Sequence, residues 1–274
     1  MSHRRAITGF SNPTVKYLRS LREKKHRKAS GQFLAEGLRL LTDALDSGHV
    51  PQTLVMATAR DPHPLLGRLE AAVAAAGGDV IEMDEAILAK VTGKDNPQAV
   101  AGVFDEFDTA LTALDRSTGK IWLVAQALRD PGNLGTMLRT GDAVGAGGLI
   151  LIDDCADPFS VEAVRASMGA VFTQTIARAP WEEFLPWLRA GAGQLVAASL
   201  RDAVDYRRAA YAAPCFLLIG NESRGLPADY ELACDLRVTM PMLGRADSLN
   251  AAVAGAVLAY EALARLNLTT EAIP

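Results

Sequence analysis

A two-part α/β fold is predicted by three features of the sequence. Helical and strand-like apolar periods alternate. A polar stretch near residues 105–119 separates an early block of them from a later one. Loops rich in Pro and Gly fall where the later strands end. The 274 residues suffice for two modest domains, and 49% of them are apolar, so burying a core is not in doubt.

The early block opens on Ser11-Asn12-Pro13, a turn and cap signal. Val15, Leu18 and Leu21 then share a face among basic residues, which predicts a basic amphipathic helix running to about Arg27. Strands are predicted over 32–35, 52–57, 79–83 and 99–104, and helices over 36–46, 65–76 and 84–91. These make a small α/β domain of residues 1–107. The polar residues 108–119 read as a linker.

The later block, residues 120–274, begins with the apolar strand Ile121–Val124. Asp130-Pro131-Gly132 turns the chain into a helix starting near Asn133, with Arg139 almost two turns in. Further strands are predicted over 149–152, 194–199 and 215–219, with helices over 161–168 and 181–189. Repeated βα units imply a parallel sheet with helices on both faces, whose ligands bind beyond the carboxyl ends of the strands. Residues 239–267 form a loop and a helix, with Asp247 or Ser248 placed as N-cap. Leu249, Val253, Ala256, Val257, Tyr260, Leu263 and Ala264 recur on one face of that helix, with Ala and Gly between them.

Charge is uneven. Residues 1–40 hold ten of the 28 Lys/Arg and two of the 32 Asp/Glu, leaving 18 against 30 beyond them. An acidic protein with a basic arm is suited to meeting a polyanion through that arm. The absences also select. All four histidines lie in the first quarter, and no lysine follows Lys120. The second half therefore has no Ser-His-Asp triad, His-ligated metal or P-loop lysine of its own, and no G-x-G-x-x-G dinucleotide loop occurs. Cys155, Cys215 and Cys234 lack metal-ligand spacing and read as buried thiols of a reducing compartment. No apolar run reaches the roughly 18 residues of a membrane span, and the N-terminal segment lacks the apolar core of a signal peptide. A cytoplasmic protein without metal or membrane partner is expected.

Three loops carry the chemistry: Asn133-x-Gly135-x-x-x-Arg139, Gly220-x-Glu222-x-x-Gly225, and Pro241-Met242-x-Gly244-x-x-x-Ser248-Leu249-Asn250. In this order they resemble the three motifs of the SpoU, or TrmH-like, RNA ribose 2′-O-methyltransferases of the SPOUT superfamily. Arg165-x-Ser167-x-Gly169-Ala170 resembles the segment between the first two motifs. Lys16, the basic helix and Phe33-Leu34-Ala35-Glu36-Gly37 resemble the family's substrate-binding domain. The resemblance implies a C-terminal parallel-sheet domain with a deep trefoil knot, and S-adenosylmethionine as cofactor. It places Ser199, Leu218, Gly220, Met240 and Leu249 at that cofactor, with Met240 standing where the family usually has Ile. It places Arg139, Asn133, Glu222, Ser248 and Asn250 at the reaction.

A ribose 2′-OH ionises poorly near neutral pH and needs help to lose its proton. An arginine is an awkward base, so Arg139 is expected to hold an RNA phosphate and place the ribose. Lys16, Arg19, Arg22, Lys24, Lys25, Arg27 and Lys28 are the expected phosphate contacts. The family implies a homodimer. Ribosomal RNA is the preferred substrate and transfer RNA the alternative. An inactive RNA-binding assembly factor of the same fold is the competing function.

Overall fold

Two sheets organise the chain in a computed structural model that describes residues 4–94 and 96–266. Asn267, the end of the loop-and-helix stretch read above, lies outside the described residues, as do the outermost residues of both domains. The first sheet and its helices follow in the order β1 (Arg4–Ile7), α1 (Pro13–Ser20), α2 (Lys24–Ser30), β2 (Gln32–Glu36), α3 (Leu38–Asp46), β3 (Thr53–Ala57), α4 (Pro64–Ala75), β4 (Asp79–Met83), α5 (Glu85–Thr92) and β5 (Val100–Asp105). The strands lie in the order β1-β4-β3-β5-β2. The first three are parallel, and β5 runs antiparallel to both of its neighbours. Val15, Leu18 and Leu21 join Ile87, Leu88 and Val91 and the sheet residues Val55 and Ile81 in one core.

The single basic helix expected to Arg27 is two helices. Asn12 caps α1 by accepting the Thr14 N–H, and the chain turns at Leu21. Glu23 is extended at φ −99°, ψ 128° before α2 begins. The break turns the basic residues that follow off the axis of α1. Arg27 also departs from its expected role. It is 2% exposed, and its guanidinium forms an ion pair with Asp157 at 2.7 Å while donating to the Leu21 carbonyl at 2.9 Å. Buried and paired, it does not reach RNA.

The remaining elements are β6 (Ile121–Gln126), α6 (Pro131–Ala143), β7 (Gly148–Ile152), α7 (Val161–Ala166), β8 (Thr175–Ala179), α8 (Trp181–Arg189), β9 (Gln194–Ala198), β10 (Val204–Asp205), β11 (Cys215–Ile219), α9 (Ala228–Leu232), β12 (Leu236–Thr239) and α10 (Ala251–Arg265). Their sheet is wholly parallel, in the order β10-β12-β9-β11-β6-β7-β8. Trp122, Val124, Ile150, Phe184, Leu195 and Phe216 are part of its core.

The chain divides into two compact units, residues through Phe107 with Asp157–Thr173, and Asp108–Ala156 with the residues from Gln174 onward. The excursion carrying α7 thus belongs with the first sheet, where Phe159 and Phe172 lie 5.1 and 6.0 Å from the Phe33 ring. The stretch 108–119 is packed on the second unit. Leu111 and Leu114 enter its core, and Thr109 accepts the Arg178 backbone N–H at 2.8 Å. Among the described residues no helix is long and apolar enough to cross a membrane. The three cysteines are free thiols, and burial pushes Cys215 and Cys234 up to about 12 and Cys155 up to about 11.

The last helix is turned the other way from its apolar face in the sequence. Ala251, Ala252, Ala254, Gly255, Leu258, Ala259 and Ala262 are the buried positions of α10. Val253 and Tyr260 are 48% and 54% exposed, and Leu249, just before the helix, is 39% exposed. Small side chains let α10 lie close against α6, β11 and β6. Val253 and Tyr260 are left outward, while Leu258 is the one large apolar residue among the buried positions.

Candidate active site

The carboxyl ends of β9, β11 and β12 open into one cleft of about 380 Å³. The loop that leaves β11 is held by its own hydrogen bonds. After β11, Asn221 accepts the Ser223 and Arg224 N–H groups on Oδ1, and Gly225 N–H returns to the Asn221 carbonyl. The Asn221 side-chain amide also donates to the Ala127 carbonyl at 2.8 Å, tying this loop to the end of β6. Gly220 is required for a close approach. A Cβ there would lie 2.7 Å from the backbone carbon of Gly225 and 2.7 Å from the nitrogen of Leu226.

The first motif starts α6. Asp130 caps it, accepting the Asn133 N–H at 2.6 Å, with Pro131 at the first helical position. The third motif starts α10. Its cap is Asn250, which accepts the Ala252 and Val253 N–H groups at 2.9 and 3.2 Å. Asp247 and Ser248, the expected caps, lie in the loop before it, where Ser248 Oγ donates to Asp247 Oδ1 at 3.3 Å. The helix begins later because Asn250 has its own reason to be held there.

That reason is a hydrogen-bonded chain across all three motifs. Asn250 Nδ2 donates to Asn133 Oδ1 at 2.9 Å, and Asn133 Nδ2 donates to Glu222 Oε1 at 2.9 Å. Asn133 thus has both ends of its amide engaged. Glu222 receives one bond on one oxygen and faces the cleft. A carboxylate has further lone pairs for a hydroxyl or ammonium group.

Of the residues expected at the cofactor, Ser199, Gly220, Met240 and Leu249 line the cleft. Leu218 does not; its side chain is fully buried in the sheet core, between β6 and β9. An inward strand position cannot present its side chain to a cleft at the strand's end. Of the residues expected at the reaction, Glu222 and Ser248 line the cleft, and Asn133 and Asn250 reach it through their hydrogen bonds. Arg139 is exposed on α6, away from the cleft lining, and makes no hydrogen bond or ion pair among the described residues.

Sequence reasoning missed a carboxylate in the cleft wall. Glu231, on α9, is buried, accepts from Ser199 Oγ at 2.7 Å and stands 3.8 Å from Arg201. Nothing in its local pattern signals this, since the pairing with Ser199 depends on β9 and α9 meeting in space. Asn221 was legible in principle, as an Asn followed by Glu-Ser is an Asx-turn candidate. Among the described residues no group of three or more His, Cys, Asp or Glu side chains is arranged to hold a metal ion.

The family model described as the SpoU rRNA Methylase family matches residues 120–260, and one described as an MRM3-like substrate binding domain matches residues 12–102. The chain is 32% identical to the 23S rRNA (guanosine(2553)-2'-O)-methyltransferase RlmP of Bacillus subtilis, over 93% of this chain and 97% of that protein. It is 30% identical to a 23S rRNA (uridine(2479)-2'-O)-methyltransferase of Streptomyces viridochromogenes, over 94% and 92%. Among solved structures, the AdoMet-bound rRNA methyltransferase from Sinorhizobium meliloti superposes with a TM-score of 0.89 at 42% identity, covering 96% of this chain and 98% of that one.

Proposed function

This chain belongs to the SpoU rRNA methylase family, and on that premise we propose that it transfers a methyl group from S-adenosylmethionine to a ribose 2′-OH of ribosomal RNA. The observation that carries the reading is the chain Glu222–Asn133–Asn250, which locks the three motifs together at the rim of one cleft. The cleft suits the cofactor. Its volume is that of a small-molecule site, Met240, Leu249, Ile219 and Val238 give it apolar walls, and Ser199, Glu222 and Glu231 supply hydrogen-bond acceptors. The close approach at Gly220 lets its loop fold back on Gly225 and Leu226, which also line the cleft. When bound, S-adenosylmethionine supplies an electrophilic methyl group on a sulfonium.

The protein's own residues then bind and orient. Asn133 and Asn250 fix Glu222 and the third loop, so that little reorganisation is needed once the ribose arrives. Arg139 holds an RNA phosphate in a bidentate manner and places the 2′-OH, whose proton leaves toward that phosphate. Ser248 donates to the ribose or to the methionine end of the cofactor. Because Arg139 stands off the cleft of its own subunit, we assign it to a site shared between two copies of the chain. The outward apolar face of α10, with Leu249, Val253 and Tyr260, supports a homodimer at this helix. We also propose that the loop before α10 and α10 itself form the trefoil knot of the superfamily, for which close packing against α6 and β11 is needed.

We assign RNA binding to residues 1–107 and methyl transfer to residues 120–274, except that Asp157–Thr173 packs with the first sheet and 108–119 packs on the second unit rather than forming a free connection. Lys16, Arg19, Arg22, Lys24, Lys25 and Lys28 are exposed and available to phosphates. The protein acts in the cytoplasm, on ribosomal rather than transfer RNA. Mapping 2′-O-methyl positions in total RNA with and without this protein tests the proposal. One ribosomal position should lose its methyl group in the absence of the protein. An unchanged map defeats the enzyme reading, and a loss confined to transfer RNA defeats the choice of substrate.

A further inference from the structure

A second cleft lies wholly within the N-terminal unit and has no part in methyl transfer. Its volume is about 330 Å³, and Arg19, Arg22, Lys90 and Lys94 line it together with Ala89 and Gly93. Among the described residues no acidic side chain lines it. The cations are displayed from a firm base. Arg19 projects from α1 and Lys90 from α5, two helices that share the core of Val15, Leu18, Ile87 and Val91.

The glycine at the end of α5 is part of this construction. Gly93 adopts φ 73° and closes the helix, and a Cβ there would lie 2.1 Å from Arg22 Cζ. The Arg22 guanidinium therefore occupies the space a side chain would take, across the carbonyl end of α5, where partial negative charge holds a cation. Lys94 is paired with Glu36 at 2.5 Å. Arg19, Arg22 and Lys90 make no hydrogen bond or ion pair among the described residues. Three like charges close together repel one another, and an anion between them reverses the sign of that interaction.

We propose that this cleft binds a phosphate of the RNA backbone, with Arg22 and Lys90 as its principal contacts. The inference rests on the RNA-methyltransferase reading and narrows its RNA contact from a basic surface to a defined place. Lys90 and Lys94 lie more than sixty residues beyond the basic run, so charge clustering along the chain does not reveal them. Arg22 can donate two parallel N–H groups to one phosphate, and Lys90 adds a point charge.

The test measures binding of the full-length protein to a transcribed 23S rRNA fragment across a salt series. For R22A/K90A the affinity should fall about tenfold, and the slope of log affinity against log salt should shrink by about one, the share of one lost phosphate. The charge-conserving R22K/K90R variant should keep the wild-type slope, and calorimetry with S-adenosylmethionine should give unchanged binding for both. Wild-type affinity and slope in R22A/K90A would overturn the cleft while leaving the function intact. So would an affinity loss with an unaltered slope, or an equal loss in R22K/K90R, since either marks a structural role. Failure of the wild-type protein to bind or methylate RNA would overturn both proposals.

Discussion

The two clefts of this molecule are built on opposite electrostatic plans. In the C-terminal cleft the site polar groups satisfy one another. Asn250 bonds Asn133, Asn133 bonds Glu222, and Ser199 bonds Glu231. In the N-terminal cleft Arg19, Arg22 and Lys90 have no partner among the described residues. A closed network fixes geometry before the ligand arrives, which is what a reaction demanding in-line approach requires. Unpaired cations on the surface hold no geometry but remain open to a polyanion, which is what salt-dependent docking requires. Arg139, exposed and without a side-chain partner among the described residues, has the character of the second kind although it sits in a motif of the first.

The largest effect expected is on that residue. Arg139→Ala should lower methyl transfer by about 1,000-fold while leaving S-adenosylmethionine affinity in calorimetry unchanged. A parallel loss of cofactor binding would place Arg139 in the network instead. Arginines of the N-terminal unit separate the plans in another way. Arg27 and Asp157 form a buried pair, so Arg27→Ala should cost about 3–5 kcal/mol in denaturant unfolding. Arg22→Ala, at an exposed position, should stay within about 0.5 kcal/mol of wild type. Comparable costs for the two would erase the distinction between structural and ligand-facing cations.

Glycines sharpen the comparison at smaller scale. Gly220→Ala places a Cβ against backbone that cannot yield without moving the loop, and a shift costing about 1–3 kcal/mol should weaken cofactor binding about tenfold. Gly255, buried in α10, has its nearest neighbour, Met137 Cε, at 3.5 Å from the position of an added Cβ. That is ordinary contact, so Gly255→Ala should raise stability by about 0.5–1 kcal/mol, read as a higher denaturant midpoint. A loss there would show that α10 is packed more tightly than this spacing allows.

Much of this was legible in the sequence where a signal is local. Asp79–Met83 and Cys215–Ile219 are strands with the predicted limits, because compact apolar runs end at turn residues. The three motifs placed Glu222 and Ser248 at one cleft and tied Asn133 and Asn250 to it, because each motif marks a strand end or a helix start. The strands β1, β8, β10 and β12 went unread. β1 and β8 are edge strands, and β12 is four residues long with a single buried one. Long-range pairing was invisible. Arg27 looks like any other residue of a basic run until Asp157, far along the chain, neutralises it. The face of α10 misled for a related reason. Apolar size suggests which side is buried, but here closeness of approach decides, and alanines go inward while Val253 and Tyr260 remain outside.

The central claim, that the cleft directs a methyl group to a ribose oxygen of ribosomal RNA, is tested most directly by labelled transfer. Purified protein is incubated with methyl-labelled S-adenosylmethionine and 23S rRNA, and the RNA is then digested to nucleosides. The account predicts label in one 2′-O-methyl nucleoside with the wild-type protein and none with Arg139→Ala. Label on a base, or no transfer by the wild-type protein, would contradict it.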